Sequence, residues 1–250
     1  MQMGKTKMRR AAVGLIAATA VIVSTMVAVQ PASAYGLFSY EKNAGFEGFG
    51  FDPKNIDVCY DSTLAQGADP GFWPEVLRRS VSVWNDATDR IRFRSLKPTE
   101  GHAYSSVCDV QIWGSVSYYD SNGDGTITGG ESSVLATGGR TGYINQPGNR
   151  YSTGRGYVLI NDSIYRRSMS EATLFRSQSV IAHEIGHVLG LAHPAADPDS
   201  AQSLMSNSTW PGKPMQDDID GIEAIYSKIT KPIKPEAPYP GNEPGLIRFD

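Results

Sequence analysis

Three of the chain's four histidines fall in one short run, His183-Glu184-Ile185-Gly186-His187-Val188-Leu189-Gly190-Leu191-Ala192-His193. On a helix, His183 and His187 stand at i and i+4, so both imidazoles project from one face and can share a metal ion. A helix that simply continued would point His193 about 240° away from His187. Gly190 removes that obstacle, because a residue without Cβ can take the left-handed conformation that ends a helix and swings the chain back. Three neutral imidazoles leave the fourth tetrahedral position to water, the open arrangement of a catalytic zinc site. Glu184 adjoins the first ligand and suits a general base. It would take a proton from the water as that water attacks a zinc-polarised carbonyl, then pass it to the leaving group, with no covalent intermediate. Chance assembly of this run from the chain's own composition is on the order of 10⁻⁵ or less, which leaves three metal-free helix histidines as a weak alternative. A zinc protein without catalysis would leave the acidity of Glu184 without a purpose.

A second cluster is a weaker match to a metal site. The twelve residues Asp120 to Glu131 carry oxygen ligands at Asp120, Asn122, Asp124 and Glu131, a seventh position at Thr126, Gly125 at the sharp turn and Ile127 after it. This is the pattern of an EF-hand calcium loop, with Glu131 able to bind through both oxygens. Its chance frequency here is on the order of 10⁻³. The flanks are not helical: Ser115 to Tyr119 reads as extended, and Gly129-Gly130 does not start a helix. A polar, turn-rich loop is the competing reading, and structural Ca2+ the favoured one.

The elements that must hold these groups follow from periodicity. Pro74 sits where a first helical turn tolerates proline, and Val76, Leu77, Val81, Trp84 and Thr88 recur along one face of an amphipathic helix. Arg90 to Arg94 alternates apolar and charged residues, so a half-buried strand is expected there. Strands are also expected at Asn55 to Tyr60, around Val110 and Ile112, and at Tyr157 to Ile160. The stretch from Ser115 to Gly156 reads as long surface loops with one extended piece at Gly142 to Gln146. Ser170 is expected to cap a helix running from Glu171 through the histidines, and a last helix is expected over Asp217 to Lys228.

The chain has 250 residues, 40% hydrophobic and 20% charged, with 26 Gly and 15 Pro. That composition suits one globular domain and excludes collagen, disorder and a multi-span membrane protein. The 23 Lys and Arg nearly balance 26 Asp and Glu, for a net charge of -3, so neither a nucleic-acid partner nor an anionic membrane is implied. Lys5, Lys7, Arg9 and Arg10 precede an uncharged apolar run, Ala11 to Val29, and then Pro31-Ala32-Ser33-Ala34. This order predicts a secretory signal over 1–34, cleaved after Ala34, against the alternative of an uncleaved anchor. Its loss leaves an acidic, secreted chain with no membrane contact. Export favours a bridge between the only two cysteines, Cys59 and Cys108, over free or metal-binding thiols. Residues 35–54 read as an irregular arm on the domain. Residues 229–250, with five prolines from Pro232 to Pro244, read as an extended tail.

The zinc run resembles the long motif of metzincin metalloproteases, and further residues are similar to the matrixins among them. Ser203-Leu204-Met205-Ser206 resembles the methionine turn beneath the zinc in those enzymes, with Met205 an apolar floor and not a ligand. Gln216 to Tyr226 is similar to the matrixin C-terminal helix, in which Asp217 or Asp218 would anchor a mature N-terminus or cap the helix. Pro194 is shared with serralysins, but Asn207 stands where their metal-binding tyrosine would be. His102, the remaining histidine, is read as a surface residue, so the structural zinc of animal matrixins has no counterpart. Neither Val58-Cys59-Tyr60 nor Val107-Cys108-Asp109 matches the inhibitory cysteine of the matrixin propeptide, so no propeptide is expected.

The resemblance covers residues 55–228. It implies an α+β zincin fold: a twisted mixed sheet with an active-site helix and a C-terminal helix. It also implies an extended peptide or protein substrate lying antiparallel along an edge strand, read at Gly142 to Gln146 with Tyr143, Ile144 and Asn145 as contacts. The expected activity is that of a secreted, monomeric zinc endopeptidase, of narrow or broad specificity. A secreted protein that binds zinc, calcium and peptide or matrix without cutting is the alternative.

Overall fold

The runs that alternate or cluster apolar residues pair into one mixed sheet, whose strands follow the order β10 (Ile247–Arg248), β3 (Phe93–Thr99), β2 (Ile56–Asp61), β4 (Val110–Ser115), β8 (Gly156–Asn161) and β5 (Ala136–Arg140). The computed structural model describes residues 36–37, 52–65, 69–100, 108–115, 135–140, 144–146, 149–151, 155–161, 171–194, 202–206, 211–227 and 247–248, all within the unit Ala32–Asp250. Strands β2 (Ile56–Asp61), β3 (Phe93–Thr99), β4 (Val110–Ser115) and β8 (Gly156–Asn161) run parallel to one another. The central strand β2 is buried at Ile56, Val58, Cys59 and Tyr60, as expected where a parallel strand is covered on both faces. Strand β5 (Ala136–Arg140) joins antiparallel to β8 at one end of the sheet.

The alternation at Arg90 to Arg94 signals burial of Ile91 and Phe93 correctly, but the strand itself begins only at Phe93. Pairing needs a partner, and β2 lies alongside β3 only from that point.

Two helices carry the apolar residues that cover the sheet. Helix α1 (Phe72–Ala87) carries Pro74 in its first turn, as expected; proline is tolerated there because first-turn N–H groups have no intrahelical acceptor. Helix α2 (Glu171–Val188) is buried almost all round in its second half, the pattern of a helix enclosed by protein. The two are tied by polar bonds as well as by packing. Trp84 Nε1 donates to the Ala182 carbonyl at 2.8 Å, and Ser80 Oγ donates to the Gln178 carbonyl at 3.0 Å. Helix α3 (Gln216–Tyr226) adds Ile222, Ile225 and Tyr226 to the same core.

Cys59 and Cys108 form the expected disulfide, joining β2 to the residues just before β4. Each terminal segment contributes one short pairing that periodicity does not predict. In the arm, β1 (Gly36–Leu37) pairs antiparallel with β9 (Leu191–Ala192). At the end of the tail, β10 (Ile247–Arg248) pairs antiparallel with β3. The signal segment, Ser170, His102 and the loop from Asp120 to Glu131 lie outside the described residues.

Within the expected substrate edge at Gly142 to Gln146, Ile144 and Asn145 belong to β6 (Ile144–Gln146), which pairs with β7 (Asn149–Tyr151) in a two-stranded sheet apart from the main one. Tyr143 lies outside the described residues. The outermost strand at the β8 end of the main sheet is β5, whose glycines gave no strand signal.

Candidate metal centre

Helix α2 brings His183 and His187 to one face, and the turn after it brings His193 back to them. Gly190 has φ 105°, the left-handed conformation the spacing requires, and its N–H donates to the His187 carbonyl at 3.1 Å. His193 Nε2 then lies 3.1 Å from the Nε2 atoms of both His183 and His187. Two nitrogens on one tetrahedral zinc stand about 3.3 Å apart, given Zn–N bonds of about 2.0–2.1 Å.

The far nitrogens set the tautomers. His183 Nδ1 donates to the Leu204 carbonyl at 2.7 Å and His187 Nδ1 to the Leu191 carbonyl at 2.8 Å. A ring whose Nδ1 carries the proton presents a lone pair at Nε2. Burial holds His183 down to about 4 and His187 down to about 3, and lowers the more exposed His193 too. The rings are therefore neutral at pH 7, as metal ligands must be. No other group of three His, Cys, Asp or Glu among the described residues converges this way. The donor set, its spacing and its protonation fit zinc.

Glu184 is buried beside this cluster. Burial pushes its carboxyl up to about 7, and the Gly138 main-chain N–H, donating to it, pulls partly the other way. Strand β5 reaches the helix this closely only because residue 138 lacks a side chain: a Cβ there would stand 2.2 Å from the Glu184 carbonyl oxygen. Sequence reasoning missed Gly138, since Thr137-Gly138-Gly139 reads as a loop.

Met205 is buried, with its sulfur against Gly186 of α2. The turn that carries it is held by Asp218, whose carboxylate accepts from Ser203 Oγ (2.6 Å) and from the main-chain N–H groups of Leu204 (2.8 Å), Met205 (3.2 Å) and Met215 (2.8 Å). Asp218 thus caps α3 and at the same time fixes the Leu204 peptide, whose carbonyl orients His183. Of the two roles left open for this acidic pair, the cap is the one Asp218 fills. Its hold on the methionine turn carried no signal in the sequence.

Comparison with known proteins agrees with this geometry. Interstitial collagenase of Sus scrofa is 34% identical over 103 residues, 40% of this chain and 20% of that protein. Matrix metalloproteinase-18 of Xenopus laevis is 28% identical over 164 residues, 65% of this chain and 30% of that protein. The chain spans less than a third of the length of either relative. Among solved structures, archaemetzincin from Methanopyrus kandleri aligns at TM-score 0.38 and 15% identity, over 68% of this chain and 93% of that one; a likeness this slight adds nothing to the assignment. The family model for matrixin, peptidase M10, matches residues 72–227. That match covers more than half of the chain and takes in the three α-helices found among the described residues, and by it this chain belongs to the matrixin family.

Proposed function

We propose that this matrixin is a secreted zinc endopeptidase in which His183, His187 and His193 hold the metal and Glu184 is the general base. The observation that carries the reading is the convergence of three neutral imidazoles beside a buried carboxyl. Zinc held there supplies Lewis acidity toward a water molecule and the scissile carbonyl. Glu184 takes the proton from the attacking water and delivers it to the leaving amine. A carboxyl raised to about 7 can both accept and return a proton near neutral pH. His183 and His187 keep their orientation through their Nδ1 bonds to main-chain carbonyls.

Substrate main chain docks along the outer edge of β5, beside Gly138, and along the edge expected at Tyr143, Ile144 and Asn145. Among the described residues β5 pairs only with β8, and an edge strand offers free N–H and C=O groups to an extended peptide. The signal over 1–34 directs export, and the chain acts outside the cell as a monomer. None of the described helices is long and apolar enough to cross a membrane. In the same reading Asp120, Asn122, Asp124, Thr126 and Glu131 hold a structural calcium ion.

The test compares cleavage of an unstructured protein such as casein by the zinc-loaded parent and by Glu184→Ala, with zinc content measured in both. The expected result is cleavage by the parent alone, with one zinc in each. Equal cleavage by both removes Glu184 from the chemistry. A zinc-loaded parent that cuts neither casein nor a peptide library favours the non-catalytic binding protein.

A further inference from the structure

The last turn of a helix leaves main-chain carbonyls without intrahelical partners, which side chains, water or a tightened final turn must satisfy. At the end of α2 two buried side chains from other elements do so instead. Arg140 Nε, from the end of β5, donates to the Val188 carbonyl at 2.6 Å. Tyr226 Oη, from the last turn of α3, donates to the Leu189 carbonyl at 2.9 Å and accepts from Arg140 Nη2 at 3.3 Å. Val188 and Leu189 lie between His187 and the Gly190 turn, so the tilt of these two peptides sets the direction in which the chain leaves the helix. The His187 Nδ1 bond to the Leu191 carbonyl and the landing point of His193 both depend on that direction.

We propose that Arg140 and Tyr226 are positioning residues for the third zinc ligand: they clamp the Val188 and Leu189 peptides so that the turn delivers His193 to the other two imidazoles. Burying a guanidinium is costly unless its donors are engaged. A residue serving only to fill space at this point would be apolar, whereas Arg140 donates to the Val188 carbonyl and to the hydroxyl that holds the Leu189 carbonyl. The inference rests on the reading that His193 binds zinc.

The experiment measures zinc affinity by chelator competition, the visible spectrum of the cobalt-loaded protein, and the thermal stability of metal-free and zinc-loaded forms. The variants are Tyr226→Phe, Arg140→Met, Arg140→Lys and, as reference, His193→Ala. Tyr226→Phe and Arg140→Met are expected to bind zinc on the order of tenfold more weakly, with cobalt spectra displaced toward that of His193→Ala. Arg140→Lys should recover part of the loss. Parent-like zinc affinity and spectra, with a stability loss equal in metal-free and loaded protein, would make the pair a structural brace and overturn the proposal. If Arg140→Met does not fold, Tyr226→Phe decides alone, since it removes one hydroxyl and keeps the ring. Parent-like zinc binding by His193→Ala would instead refute the ligand reading, and the proposal with it.

Discussion

Met205 lies against Gly186, the residue just before the second helical histidine: a β-carbon on Gly186 would stand 2.3 Å from Met205 Sδ and 3.1 Å from the Trp84 ring. Met205 and helix α1 therefore reach α2 through a gap only glycine leaves open. Gly186→Ala is expected to cost about 1–3 kcal/mol by overpacking, read as a shift in denaturant midpoint. Adding Met205→Ala should return part of that loss, because the two sites share one contact. Strictly additive effects would show that the contact is not the cause.

Asp218 joins the helix cap to the histidine shell. Asp218→Asn keeps the shape but turns an amide toward main-chain N–H groups, leaving at least one buried donor unpaired at about 1–3 kcal/mol. Because the Leu204 peptide orients His183, zinc binding should weaken as well, by about tenfold. A stability loss with unchanged zinc affinity would confine Asp218 to capping.

The bridge between Cys59 and Cys108 closes a loop of 49 residues. On the chain-entropy model its removal costs at most about 4 kcal/mol. Intact mass with and without reductant checks the bond, and the denaturation midpoint of the doubly Ser-substituted protein checks its worth. A midpoint equal to the parent's would mean that the unfolded chain is already restricted across this loop.

Calcium should raise the melting temperature of the chain lacking residues 1–34, as ligand binding to the folded state requires. Asp124→Ala should remove that increment. A parent that melts at the same temperature with calcium and with chelator would dispose of the site.

The candidate metal site was legible in the sequence alone, because its parts are local. The i, i+4 spacing of His183 and His187, the stop at Gly190 and the carboxyl at Glu184 are properties of a few consecutive residues and helical geometry. The apolar face through Val76 to Trp84 likewise announced α1. What lies beside these groups was decided by tertiary structure. Strand β5, with Gly138 and Gly139, has little strand propensity of its own and becomes a strand only by pairing with β8. The same holds for β1 and β10, each two residues long and defined by a distant partner. Asp218 on Leu204, Arg140 on Val188 and Tyr226 on Leu189 connect residues 14, 48 and 37 positions apart. No periodicity records such bonds, since they exist only once the sheet and helices have packed and the buried carbonyls and N–H groups must find partners.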